Sequence, residues 1–313
     1  MNFQQLRYVR EAVRQGLNLT EAAKKLFTSQ PGVSKQIREL EKELGVEIFV
    51  RRGKRLVALT EAGAGVVTVI DRVLQEADNL RQMAREHREP DGGSLIIATT
   101  HTQARYALPK VVTEFKRRYP KVRLSMQQGN PPQLAEMVIA GEADLAIATE
   151  ALEDYPQLLA LPGYSWNHCV VVPAAHPLAD AHRVSLDELA RFPIVTYDLA
   201  FAGRAHIDAA FAARNLTPDI VLSAIDADVI KTYVELGLGI GIIAAMAFDP
   251  QRDRTLRQLE AGHLFPSNTT RVALRRGSAL RSFGYDFIEL FAPHLNRAQI
   301  DAAFAAKGQD YEL

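Results

Sequence analysis

The chain has 313 residues, 47% hydrophobic and 24% charged, which is ordinary for a globular protein with room for two or three domains. No apolar run approaches the roughly 18 residues of a membrane span. The opening Met1-Asn2-Phe3-Gln4-Gln5 shows no export signal, and the single cysteine, Cys169, excludes an internal disulfide. A cytoplasmic setting is therefore expected, since such a thiol suits a reducing compartment. The net charge of zero conceals a partition: residues 1–58 hold 12 basic against 6 acidic side chains, and the remainder is correspondingly acidic.

Phe3, Leu6, Val9 and Val13 recur at helical spacing before Gly16. Residues 18–44 then read as two short helices joined by a tight turn. Asn18 caps the first, with Glu21 placed to complete a capping box, and Leu19, Ala22, Ala23 and Leu26 form its apolar face. The turn Thr28-Ser29-Gln30-Pro31 starts the second helix, where proline tolerates the first turn. Val33, Ile37, Leu40 and Leu44 point inward. Ser29, Gln30, Ser34, Lys35 and Arg38 point outward, a mix of hydroxyl, amide and cationic groups suited to base edges and phosphates. This is a helix-turn-helix pattern for double-stranded DNA.

Two β-prone runs, 47–50 and 55–59, flank a cationic tip of Arg51, Arg52, Lys54 and Arg55, as in the wing of a winged helix contacting DNA backbone. Residues 1–59 thus form the DNA-binding domain. A helix over 60–88 follows, about 42 Å long at 1.5 Å per residue. Its stripe of Val66, Ile70, Val73, Ala77, Leu80, Ala84 and His87 repeats like a heptad and is expected to pair two chains. Glu89-Pro90-Asp91-Gly92-Gly93 reads as a hinge.

From residue 94 strands and helices alternate: strand 95–99, helix 104–119, strand 121–127, helix 132–140 and strand 144–148, an open parallel sheet. A second set has strands 168–173, 194–197, 220–224 and 238–244, connected by helices near 185–189, 204–214 and 226–236. A late strand (271–275) and helix (282–291) have no room there and return to the first set. The expected fold is α/β, with two lobes like those of periplasmic binding proteins: lobe I near 93–163 and 267–292, lobe II near 164–266. The crossings fall near 150–165 and 262–270.

Ligands of open parallel sheets sit beyond the carboxyl ends of the strands. There the chain offers Thr100, Thr102 and Gln103 after the first strand and Thr149 after the third. These are neutral donors beside a helix N-terminus, suited to a small anion. Enzyme signatures are missing: no G-x-S-x-G, H-E-x-x-H or C-x-x-C occurs. Gly237-Leu238-Gly239-Ile240-Gly241 runs from helix to strand, the reverse of a dinucleotide site, and suits close packing instead. His101 is a surface or ligand-contact residue, and Cys169 a core residue.

The opening 60 residues ending in LTEAG, the long helix and the two-lobed half together resemble a LysR-type transcriptional regulator over the full chain. TTHTQARYALP, TEFKRRYPKVRLSMQQGNP, GEADLAIATE, DADVIKTYVELGLGIGI and FAGR look like the cysteine-regulon branch, CysB and Cbl. The resemblance implies control of sulfur-assimilation genes, with acetylserine as inducer and sulfate or thiosulfate as anionic ligands, and no cofactor. It also implies promoter DNA, RNA polymerase and a second and fourth copy of the chain (a homodimer or homotetramer) as partners. In that branch the anion site uses the threonines and glutamine of TTHTQ, the threonine of ATE and a threonine in FTGR. Carried over, these are Thr100, Thr102, Gln103 and Thr149, whereas Ala202 replaces the last hydroxyl.

Overall fold

The computed structural model describes residues 1–53, 55–88, 92–199, 201 and 203–306, which fall into two compact units, Met1–Arg88 and Glu89–Leu313. Lys54, Ala202 and the hinge residues Glu89, Pro90 and Asp91 lie outside the described residues.

In the first unit α1 (Phe3–Arg14) is held by a reciprocal capping box between Asn2 and Gln5. Then come α2 (Leu19–Lys25) and α3 (Gln30–Leu44). Asn18 Oδ1 accepts from the Thr20 and Glu21 amides, but Glu21 does not reach back. Its carboxylate takes the neighbouring Lys24 ammonium at 2.8 Å instead, so half of the expected box forms. α2 ends at Lys25; Leu26 still packs on the core, while Phe27 turns out at φ 51° and is 97% exposed. Ser29 caps α3 by accepting from Gly32 N, and Gly45 closes it at φ 68°. Leu44, expected inside, is 39% exposed because it is the last helical residue and the chain turns away at Gly45.

The hairpin of β1 (Phe49–Arg52) and β2 (Arg55–Leu59) is antiparallel, with a bulge after Val50. α4 (Glu61–Arg88) starts at Thr60, whose hydroxyl accepts from Gly63 N at 2.8 Å. A Cβ at Gly63 would lie 2.0 Å from the Ile48 carbonyl oxygen, so only glycine lets the helix lie this close. Val67, Ile70 and Leu74 of α4 join Leu6, Val9, Val33, Ile37, Leu40 and Phe49 in one core. The expected pairing stripe is therefore divided. Val66 and Ile70 pack within the chain, a partner that spacing alone did not disclose. Val73, Leu80 and Met83 stand outside at 38%, 69% and 63% exposure.

The second unit opens with β3 (Gly93–Thr99), a π-helical turn (Gln103–Ala107) and α5 (Leu108–Arg118), so the expected single helix is two pieces. β4 (Val122–Gln128), α6 (Pro131–Ala140) and β5 (Leu145–Ala148) complete a parallel set in the order β4-β3-β5. The segment expected as a crossing is largely a strand, β6 (Leu158–Trp166). β7 (His168–Pro173), α7 (Leu186–Leu189), β8 (Ile194–Tyr197), α8 (Arg204–Ala213), β9 (Ile220–Ala224), α9 (Ala227–Glu235), β10 (Ile240–Ala244) and β11 (Leu256–Glu260) form the second lobe. β12 (Asn268–Arg275), α10 (Ser282–Phe291) and α11 (Arg297–Ala306) follow.

Both sheets are mixed, not parallel. Lobe I runs β4-β3-β5-β12-β6 with β12 antiparallel to both neighbours, because β6 leads out to the other lobe and β12 returns from it. Lobe II runs β11-β7-β10-β8-β9, with β7 antiparallel to β10 and β11. α10 and α11 cover lobe I through Phe283, Phe287, Ile288 and Ile300. Gly239 explains part of the glycine run: a Cβ there would meet the Pro193 carbonyl oxygen at 2.1 Å.

Candidate functional site

Two surfaces carry recognition chemistry. On the first unit, Gln30, Pro31, Ser34, Lys35, Arg38 and Lys42 line a shallow groove along α3. Thr28, Ser29, Pro31, Lys35 and Arg38 are exposed and Gln30 half-buried. Ser34 is not outward: it is buried, and its hydroxyl accepts from Arg38 at 3.1 Å, which aims the guanidinium. Arg55 and Gln30 share a second groove with Asn18 and Thr20, so wing and recognition helix meet there. Arg52 and Arg55 are exposed. Arg51 differs, because its guanidinium donates to the buried Glu41 carboxylate at 2.8 Å. Glu41 also accepts from the Ile48 and Phe49 amides, so this knot anchors the hairpin to α3.

On the second unit a small cavity of about 10 Å³, room for about one water, lies between the lobes, lined by Thr100, Thr102, Gln103, Thr149, Glu150, Trp166 and Phe201. Four expected residues thus share one wall, while Ala202 lies outside the described residues. Thr270 organises this wall. Its hydroxyl oxygen accepts from Gln103 Nε2 at 3.1 Å and Trp166 Nε1 at 3.1 Å, and it shares a hydrogen bond with the Thr149 hydroxyl at 3.3 Å in which either can donate. Gln103 Oε1 accepts from Tyr164, which leaves the second amide hydrogen of Gln103 as another donor. The Thr100 hydroxyl has no protein partner among the described residues, whereas the Thr102 hydroxyl acts on the buried Tyr197 phenol, opposing the upward push of its burial. The Tyr197 oxygen also accepts from Ala244 N.

Sequence reading missed Glu150, Trp166 and Thr270. Glu150 accepts a hydrogen bond from Gly203 N, the amide at the start of α8, so it ties lobe I to lobe II. Burial pushes its carboxyl up to about 7, against the opposing pull of that amide.

A second tie lies nearby. Asp228, at the start of α9, accepts from Tyr106 at 2.7 Å, approaches His101 Nε2 at 3.2 Å and pairs with Arg105 at 3.5 Å. Burial acts to raise its carboxyl, but the bonds from Tyr106 and His101 and the charges of Lys231 and Arg105 hold it below the ordinary range. His101 is thus engaged across the lobes. His101, Asp226 and Asp228 bring three potential metal ligands within 4.8 Å. Arg105 and Lys231 already face Asp228, so the group reads as an ion-pair network rather than a cation site. Cys169 is buried and its thiol is pushed up to about 12 by desolvation, as a core residue requires.

These features define a winged helix-turn-helix reader joined to a two-lobed ligand domain, and the comparisons say the same. Residues 3–64 match the bacterial regulatory helix-turn-helix protein, lysR family, and residues 88–296 match the LysR substrate binding domain. The chain belongs to the LysR family of DNA-binding transcriptional regulators, which are not enzymes. It is 60% identical over 300 residues to the HTH-type transcriptional regulator SsuR of Burkholderia cenocepacia, covering 96% of this chain and 97% of that one. It is 59% identical to CysB of the same organism over the full length of both. The solved cofactor-binding domain of the Cbl regulator superposes with a TM-score of 0.65 at 45% identity, covering 67% of this chain and 92% of that domain. Among the described residues no helix is long and apolar enough to cross a membrane.

Proposed function

We propose that the chain regulates sulfur-assimilation and cysteine-biosynthesis genes, reading promoter DNA with α3 and the wing and sensing a small oxyanion in the interlobe cleft. The observation that carries the sensing half is the cavity wall: Thr100, Gln103 and Thr149 present neutral donors at one place, with Thr102 beside them. Neutral donors without a facing arginine or lysine hold an anion reversibly, as a metabolite sensor needs. Sulfate and thiosulfate fit that chemistry, and acetylserine is the organic effector that the CysB and Cbl resemblance suggests. Ala202 removes one hydroxyl from the branch's pattern and weakens oxyanion binding relative to a chain with threonine there.

Gln30, Lys35 and Arg38 contact base edges, aided by Ser34. Thr28, Ser29, Pro31, Arg52, Lys54 and Arg55 lie along the backbone, and Arg51 holds the hairpin in place. The exposed half of α4 pairs two chains, and dimers assemble into a cytoplasmic homotetramer that engages RNA polymerase. Isothermal calorimetry of the full chain with sulfate, thiosulfate, N-acetylserine and O-acetylserine tests the sensing half. Binding of a sulfur oxyanion that is lost in Thr149→Val supports it. Binding of none of these four, with uptake of an unrelated acid instead, would assign the regulator to another pathway.

A further inference from the structure

Glu150 does not fit a plain oxyanion site. It lines the same cavity as Thr100, Gln103 and Thr149, and an ionised carboxylate there is an acceptor-only group of the ligand's own sign. Its position is more specific than proximity. The carboxylate occupies the amide of Gly203 at the start of the ten-residue α8, the place on the lobe II wall where an incoming oxyanion would find an N–H.

The charges around it do not offset the repulsion. From α8, Arg204 donates to Asp208 at 2.8 Å and to the Tyr197 carbonyl, and so is turned away. From β12, Arg271 pairs with Glu153 at 2.7 Å. Arg105 and Lys231 are held by Asp228, and Lys231 also by Asp253 at 3.0 Å. The imidazoles on the surrounding elements are His101, which faces Asp228, together with His168 and His206.

We propose that Glu150 is a proton-linked gate of the cleft: the site takes up its oxyanion together with one proton, which rests on the Glu150 carboxyl. One oxygen keeps the Gly203 amide, and the other becomes an O–H donor to the ligand. This rests on the reading of the cleft as an oxyanion site and adds its selectivity. A site with a titrating carboxyl on its wall binds anions better as pH falls. It also favours a ligand that brings its own proton over one of equal charge without it. The burial of Glu150, which places its titration near pH 7, puts the change inside the range a cell visits.

The test is calorimetry of the full chain with sulfate and thiosulfate at pH 6, 7 and 8, in two buffers of different ionisation enthalpy. Both anions stay fully ionised throughout, so any proton taken up goes to the protein. Affinity should fall about tenfold from pH 6 to pH 8, with close to one proton taken up per anion at pH 8 and about a tenth of one at pH 6. E150Q should bind at pH 8 as wild type binds at pH 6, with a flat pH profile. Tight binding with no proton uptake, or the same tenfold slope in E150Q, overturns the gate while leaving the cleft reading intact; the second result would assign the slope to another group of the protein. No binding of either anion at any pH overturns the cleft reading, and the gate with it. The buffer comparison on wild type needs no variant, so a misfolded E150Q does not blunt the test.

Discussion

Removing the Glu41 carboxylate tests how the wing is held, and its cost follows from three contacts. Oε1 accepts from Ile48 N at 2.9 Å and Phe49 N at 3.1 Å, and Oε2 accepts from Arg51 at 2.8 Å. In Glu41→Ala two buried amides lose their acceptor, each at about 1–3 kcal/mol. Arg51, at 23% side-chain exposure, re-solvates at little cost. The middle of that range is about 4 kcal/mol, near a thousandfold in a local opening equilibrium. Hydrogen exchange of the full chain reads this directly, as faster exchange at Ile48 and Phe49 by roughly two to three orders of magnitude. Glu41→Gln keeps the Oε1 acceptor and should lose less than about 1 kcal/mol. Unchanged protection at both amides in Glu41→Ala would show that the carboxylate does not hold the strand, and the anchoring argument would fail.

Four other outcomes follow. Arg38→Ala should cost about 1–3 kcal/mol and blur discrimination at particular base pairs, while Arg55→Ala weakens all sequences alike and reduces the salt slope by about one, as read by titrations at several salt concentrations. Leu80→Glu puts a charge on the exposed half of α4 and should dissociate the oligomer in light scattering; an unchanged mass would remove that face from the interface. Thr100→Val should cost about 1–3 kcal/mol of sulfate binding with no loss of thermal stability, because that hydroxyl serves no protein group among the described residues. Lys231→Met leaves the buried Asp253 carboxylate without its cation and should destabilise by about 3–5 kcal/mol at neutral pH, which Lys231→Met with Asp253→Asn together largely restores in thermal melts.

What the sequence disclosed and what it hid divide along range. The two helices of the reader were legible because cap, apolar spacing and proline all act within a few residues. β6 was hidden because Pro162 and Gly163 interrupt it, and it tolerates them as an edge strand of its sheet. β11, also an edge strand, buries only Leu256 and Leu259 among polar residues and carries little periodic signal. Thr100, Thr102, Gln103 and Thr149 share one wall, as expected of residues at strand ends. Thr270 and Trp166 were not legible in this way, since they reach that wall from 121 and 17 residues beyond Thr149. The available signal for Thr270 was the alternation of the returning strand, which puts it on the same buried face as Val272 and Leu274. Glu150, next to Thr149 at a strand's end, lies where the same rule points.

The paired ends of β6 and β12, where Trp166 lies opposite Asn268, are where the chain passes between lobes, and Trp166 and Thr270 also build the cavity wall. On the proposed reading of the cleft, the residues that meet the oxyanion are part of the pivot itself. A lever driven at its fulcrum converts small angles into long strokes: about 10° of rotation there moves a point ~20 Å away by about 3.5 Å. A few shifted hydroxyl contacts can in this way be written large at the outer rim of either lobe, without any segment unfolding.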